Sequence, residues 1–183
     1  MIKSKADLKL YMQEDMCFFS QFSKKERVAF FLTRDPLSQI VMYIKWLRKE
    51  EYYANCRKDL IGKFMMLWYF RRKNTLGNRI GFKIPKNTFE EGLTIYHHGS
   101  VIINENAKVG KNAVLHGDNC IGNDGSSGGK VPVIGDNLDL GIGAKVIGDV
   151  TLGNHVSVGA NAVVTHSFAK DNVILVGLPA REL

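Results

Sequence analysis

Between residues 103 and 164 aliphatic side chains recur every six positions: Ile103, Val109, Leu115 and Ile121, then Ile134, Leu140, Val146, Leu152, Val158 and Val164. A helix cannot hold such a stripe on one face, because six residues at about 100° each advance roughly 600° and the stripe drifts around the axis. A recurring turn can. Gly follows many of these positions (Gly110, Gly122, Gly135, Gly141, Gly153, Gly159), and four residues on from most stands a compact or aliphatic side chain (Ala107, Ala113, Ala144, Val150, Val156, Ala162). The pattern predicts short strands and turns wound into stacked coils, each burying its aliphatics against the last.

Six is the period of hexapeptide parallel β-helices, whose open ends need covers. Strand-like Val173-Ile174-Leu175-Val176 and the following Gly177-Leu178-Pro179-Ala180-Arg181 are the expected cover at one end. Ile121 and Ile134 stand 13 apart, seven more than the period, so a loop near 123–132 is ejected from the solenoid; it contains Asp124-Gly125-Ser126-Ser127-Gly128-Gly129-Lys130. A polar, Gly-rich loop in so regular a coil is a candidate for a site.

Ahead of the repeats the composition changes. Cut at Thr75, residues 1–75 hold 16 of the 25 Lys and Arg and 8 of the 18 Asp and Glu (+8), and residues 76–183 hold 9 and 10 (−1). The first part also carries 14 of 18 aromatics and all six methionines, the second 17 of 18 glycines. The expected organisation is a helical segment over 1–76 and a β-helix over 77–183. Leu8, Leu10, Tyr11, Met12, Met16 and Phe19 recur near helical period in 6–19; Asp35-Pro36 reads as a helix start ahead of Leu37, Ile40, Val41, Tyr43, Ile44 and Leu47; a third helix is expected over 57–73. Its stretch Phe64-Met65-Met66-Leu67-Trp68-Tyr69-Phe70 runs straight into Arg71-Arg72-Lys73. One reading is core packing with a solvated basic end; the other is docking on an anionic membrane face.

The net charge of +7 is therefore local, and no readable recognition helix or aromatic sheet platform accompanies it, so nucleic acid is not an expected partner. No stretch reaches the roughly 18 apolar residues that cross a bilayer, and the expected location is cytoplasmic, with peripheral contact at the inner membrane face if the basic helices dock. Cys17, Cys56 and Cys120 are too widely spaced for a disulfide framework or paired-cysteine zinc site and are expected reduced and mostly buried.

Residues 78–183 resemble the left-handed parallel β-helix acyltransferases, and within them the serine acetyltransferase-like branch. The resemblance rests on Gly81-Phe82-Lys83-Ile84-Pro85, on Gly92-Leu93-Thr94-Ile95-Tyr96-His97-His98-Gly99-Ser100-Val101-Ile102-Ile103-Asn104, on the hexapeptides, and on the Gly177–Arg181 ending. Leu47-Arg48-Lys49-Glu50-Glu51-Tyr52-Tyr53 is similar to a stretch of the polysaccharide-modifying members. What the resemblance implies is a mainly β fold of left-handed coils behind a helical segment, a homotrimer with sites between subunits, and acetyl-CoA as co-substrate for transfer to an alcohol.

It implies His97 as the general base that takes the acceptor's proton. Adjacent side chains of an extended segment face opposite ways, so His97 and His98 are expected to diverge; Tyr96, His98 and His116 are candidates for acceptor contact. Gly122, Asn123, Ile142, Gly143, Ala144, Lys145, Gly159 and Ala160 match the small-residue turns along which the coenzyme arm lies, with Lys145 and Arg181 as phosphate contacts. His155 and His166 read as exterior turn residues. The branch's serine acetyltransferases carry Asp where this chain has Tyr96, and a second His near Gly129-Lys130-Val131-Pro132. Those departures favour a sugar hydroxyl on a polysaccharide precursor over serine, the alternative acceptor. No metal is expected, a zinc-dependent hydratase on the same solenoid and a non-catalytic scaffold being the rival readings.

Overall fold

In the computed structural model, which describes residues 1–125 and 129–183, five helices precede fourteen short strands. Ser126, Ser127 and Gly128 of the inserted loop lie outside the described residues. The helices are α1 (Lys5–Asp15), α2 (Cys17–Ser20), α3 (Lys24–Leu32), α4 (Pro36–Cys56) and α5 (Leu60–Ile80). Pro36 sits in the first turn of α4 behind Asp35, whose carboxylate accepts from the Leu37 N–H at 2.8 Å. The expected third helix starts three residues later than 57 and runs to Ile80, so the composition boundary at 76 falls inside it. It ends at Gly81, φ +84, where a Cβ would stand 2.4 Å from the Gly99 carbonyl oxygen; a side chain would be strained there and would also meet the first corner of the coils.

The strands make three walls. The first stacks β1 (Phe82–Lys83), β3 (Val101–Ile103), β6 (Cys120–Gly122), β9 (Lys145–Ile147) and β12 (Val163–Val164). The second stacks β4 (Lys108–Val109), β7 (Val133–Ile134) and β10 (Thr151–Leu152). The third stacks β2 (Thr94–Ile95), β5 (Val114–Leu115), β8 (Asp139–Leu140), β11 (Ser157–Val158) and β13 (Ile174–Val176), with β14 (Arg181–Glu182) beyond. Every pairing is parallel except β13–β14, which is antiparallel and closes the far end. From β2 to β12 each wall takes every third strand, so the six-residue period is one wall and three periods are one coil. Register puts like on like: Ile103, Ile121, Val146 and Val164 stack in one wall, and Ile95, Leu115, Leu140, Val158 and Leu175 in another. These residues are almost fully buried and form the core.

Positive-φ residues repeat at one corner: Asn112, Asn137, His155 and Asn172, at φ +55 to +59. Asn112 Nδ2 donates to Asn137 Oδ1 at 3.1 Å, and Asn137 Nδ2 meets His155 Nε2 at 3.3 Å, so His155 is one rung of this corner ladder. His166 is exposed, beside Thr165.

The helical segment is fastened to the first coil by buried charge. Arg48, with no exposed surface, donates to Asp15, Glu51 and the carbonyls of Phe89 and Glu90. Asp15 Oδ1 also accepts from the Gly92 and Leu93 N–H groups at 2.9 Å, and Glu51 accepts from Asn87 N–H at 2.7 Å. A second buried pair, Lys73 and Glu50 at 2.8 Å, adds a Lys73 bond to the Ile84 carbonyl. Two expectations need correction. Leu60, Ile61, Phe64, Leu67, Trp68 and Phe70 of α5 are exposed, so most of the aromatic stretch before Arg71-Arg72 is not core; its Tyr69 is buried, on the side of α5 that also turns Lys73, Leu76 and Ile80 inward. Cys17 is exposed and Cys56 and Cys120 are half-buried, all three free; Cys17 and Cys56 lie on the helices, and Cys120 precedes the inward Ile121 on β6 and so faces outward.

Candidate functional site

The histidine corner is where the coil departs from its period. Ile95 and Ile103 stand eight apart, while Leu115–Ile121, Leu140–Val146 and Val158–Val164 keep six. The two extra residues fall within Tyr96–Ser100, and the bulge is held from both sides. Asp118 Oδ1 accepts from Ser100 N–H at 2.8 Å, and Gly99 N–H donates to the Ile80 carbonyl at 3.3 Å. His98 turns toward the helices: its Nε2–H donates to the Pro36 carbonyl at 3.0 Å, and its ring meets Phe82 edge-on at 6.3 Å. His97 is exposed and has no hydrogen-bond partner among the described residues, so the two neighbours diverge, here on a bend beyond the end of β2 rather than along an extended strand.

His97 lies against the next coil. A Cβ on Gly117, φ +115, would stand 3.4 Å from His97 Cβ, so glycine there both accepts the backbone and makes room for the histidine. Its neighbour His116 packs edge-on to Tyr96 with ring centroids 5.0 Å apart, and Tyr96 packs on Phe18 of α2 at 5.0 Å. His116 Nε2 bonds Asp139 Oδ1 at 2.9 Å. With the carboxylate ionised, Nε2 carries the proton and Nδ1 is left as the basic nitrogen. Beneath this turn Asn119, wholly buried, accepts from Gly117 N–H at 2.9 Å and donates to the Gly141 carbonyl at 2.8 Å. Asp139, Asn119 and Phe18 were not legible as site residues. Asp139 reaches His116 only because β5 and β8 are paired across the seven-residue insertion.

The remaining candidates divide between two edges. Residues 96–100, 116–119, 141–144 and 159–162 stack on one edge, joined by Gly143 N–H to the Gly117 carbonyl at 3.0 Å and Asn161 N–H to the Ile142 carbonyl at 2.9 Å. That edge therefore carries Ile142, Gly143, Ala144, Gly159 and Ala160 in line with His97 and His116. Ile142 is exposed between Gly141 and Gly143, and Ala160 is exposed after Gly159, an open shelf along which an extended chain can lie. Lys145 follows at the start of β9, its ammonium bent back on the Gly143 carbonyl at 2.8 Å. Arg181 is exposed on β14 and has no ion pair among the described residues. Gly122 and Asn123 begin the next edge, across the first wall, so a single chain does not bring them to the histidines. Burial pushes the Cys120 thiol up despite Lys145 nearby, which keeps it protonated and poorly nucleophilic. Among the described residues no three His, Cys, Asp or Glu side chains converge.

A helical segment followed by a three-walled solenoid is a fold this chain shares with solved serine acetyltransferases. The soybean enzyme complexed with serine superposes with a TM-score of 0.69 over 98% of this chain and 70% of that one, at 21% identity. The Brucella abortus enzyme in complex with coenzyme A gives 0.65 over 97% and 66%, also at 21%. These likenesses establish the fold. In sequence, the serine acetyltransferase of Staphylococcus xylosus is 38% identical over 88 residues, 48% of this chain and 40% of that protein. That of Synechococcus elongatus is 35% identical over 98 residues, 53% and 40%. The chain thus spans about two fifths of the length of these curated relatives. No protein-family model matches it.

Proposed function

We propose that this chain is an acetyl-CoA-dependent O-acetyltransferase of the serine acetyltransferase type, with left-handed coils and His97 as general base. The observation that carries the reading is the exposed, unpartnered His97 on a bulged corner, in line with a shelf of small residues, in a fold shared with enzymes solved with serine and with coenzyme A. Acetyl-CoA supplies the acetyl group as a thioester. An alcohol is a weak nucleophile at neutral pH, and an imidazole at hydrogen-bond distance removes its proton as the new C–O bond forms. The same imidazolium then returns that proton to the departing sulfur, so the ester and free thiol form with no net proton change. Negative charge on the carbonyl oxygen needs donors that the coils have not used: the Gly99, Gly117, Gly143 and Gly159 N–H groups are bonded within the coils, whereas those of Ile142 and Ala160 have no partner among the described residues. The shelf of Ile142, Gly143, Ala144, Gly159 and Ala160 suits the pantetheine arm, with Lys145 and Arg181 toward its phosphates. Gly122 and Asn123 contribute only if a second copy closes the groove, as a homotrimer would.

The comparisons favour L-serine over the glycan as acceptor, since every relative and solved structure described above is a serine acetyltransferase. One feature favours a different alcohol: Tyr96, wedged between Phe18 and His116, gives the pocket a ring where a carboxylate would greet an ammonium. Incubation with acetyl-CoA and either L-serine or a panel of sugars, followed by mass spectrometry, separates the two. O-acetylserine is the expected product; acetylated sugar with no O-acetylserine would replace the acceptor and leave the mechanism. Absence of acceptor-dependent thiol release with every alcohol would overturn the proposal.

A further inference from the structure

One face of α5 changes character along its length. Leu60, Ile61, Phe64 and Leu67, at helical spacing, are 58–83% exposed and cover nothing. One turn on, the same face carries Arg71 and Arg72, then Arg79. There it borders a cavity of about 830 Å³ between α3, α4 and α5, whose walls include Arg34, Trp46, Trp68 and those three arginines. Among the described residues no carboxylate lines this cavity and none of the four arginines has an ion-pair partner. Arg72 instead stacks on the Trp68 ring at 5.0 Å. Uncompensated guanidinium groups around a cleft call for a phosphate, and the adjoining apolar stripe calls for hydrocarbon; the indole between them is the side chain that sits where the two meet.

We propose that this face docks on an anionic phospholipid bilayer, α5 lying in the interface with its apolar stripe among the acyl chains and lipid phosphates in the arginine cavity. The helix is of the interfacial kind: no helix among the described residues is long and apolar enough to cross a membrane. The docked face adjoins the histidine corner. Pro36, whose carbonyl holds His98, stands between Arg34 and Ser38 of the cavity wall, and Ile80, whose carbonyl holds Gly99, follows Arg79. Docking would therefore hold the His97 corner close to the bilayer surface.

The test is co-sedimentation of the full chain with vesicles of equal phosphatidylglycerol and phosphatidylcholine, and with phosphatidylcholine alone. The expected result is binding to the anionic vesicles only, weakened about thirtyfold by Arg71→Gln with Arg72→Gln, as two surface cations are each worth about a factor of five. Phe64→Ser with Leu67→Ser weakens it also, and that loss persists in high salt. These four side chains are exposed, so circular dichroism and melting temperature of both variants should match the parent. Equal binding to the two vesicle types, or none, overturns the proposal. So does a fall in particle mass by light scattering for Phe64→Ser with Leu67→Ser, which would make the stripe a contact between copies. Release by inorganic phosphate, but not by sodium chloride of equal ionic strength, would mark a free-phosphate site instead.

Discussion

Replacing Arg48 by Ala removes the one side chain that bonds two buried carboxylates and two carbonyls. The guanidinium, wholly buried, reaches Asp15 at 2.7 and 3.3 Å, Glu51 at 3.0 Å, and the Phe89 and Glu90 carbonyls at 2.9 and 2.7 Å. Asp15 keeps its two backbone donors and Glu51 keeps Asn87, so neither is bare after the change. Both nevertheless remain buried anions without a cation, a situation that costs about 3–5 kcal/mol in comparable pairs. For a chain of this size that is roughly 10 °C of melting temperature, read by urea and thermal unfolding at fixed protein concentration. The loss should shrink on acidification. Burial already pushes the Glu51 carboxyl up with Arg48 in place, and removing the cation pushes it further. A carboxyl raised in the folded state favours folding below its unfolded value and loses that contribution as pH rises through the folded value, so Arg48→Ala should be closer to its parent near pH 5 than at pH 8. A loss under 1 kcal/mol, or one independent of pH, would refute the claim that this network fastens the helices to the coil that presents His97.

Other outcomes follow from the same contacts. Leu140→Ala, in the middle of a fully buried column, should cost about 2–5 kcal/mol in urea unfolding. Asp139→Asn frees His116 to take either tautomer; steady-state kinetics should show a lower kcat with a shifted pH profile if His116 acts in the chemistry, and a changed acceptor KM alone if it only contacts the acceptor. Asp7, Glu26 and Asp171 are all held below their usual carboxylate range, Asp7 by the Lys3 N–H first, Glu26 by Ser23, and Asp171 by the Asn154 N–H first. Lowered carboxyls stabilise above their unfolded values and lose this as pH falls through the folded ones, so unfolding midpoints should hold down to about pH 5 and decline below about pH 4.

The walls were legible in the sequence because a solenoid repeats its cross-section: a column such as Leu115, Leu140 and Val158 advertises its period whichever way the coils wind. The corner at His97 was legible through its motif. What escaped depends on stacking between coils, which sequence spacing hides: the Asp139 contact to His116 spans 23 residues and an insertion. Asn119 escaped because a buried asparagine declares nothing until its carbonyl partners are known. The pattern of α5 showed an apolar face but could not tell whether anything covered it, and nothing among the described residues does. Helix α3, capped by Ser23 and Glu26, carries Val28, Phe31 and Leu32 at helical spacing but buries none of them, so its short stripe marks no packing face.

The central claim is that His97 is the base of an acetyl transfer, and thiol release from acetyl-CoA with L-serine, compared between the parent and His97→Ala at equal melting temperature, tests it most directly. Acceptor-dependent release by the parent and a kcat lower by about two orders of magnitude or more in the variant is the predicted result. Undiminished turnover in His97→Ala, with the loss appearing instead in His116→Ala, would move the chemistry to the His116–Asp139 pair and contradict the account.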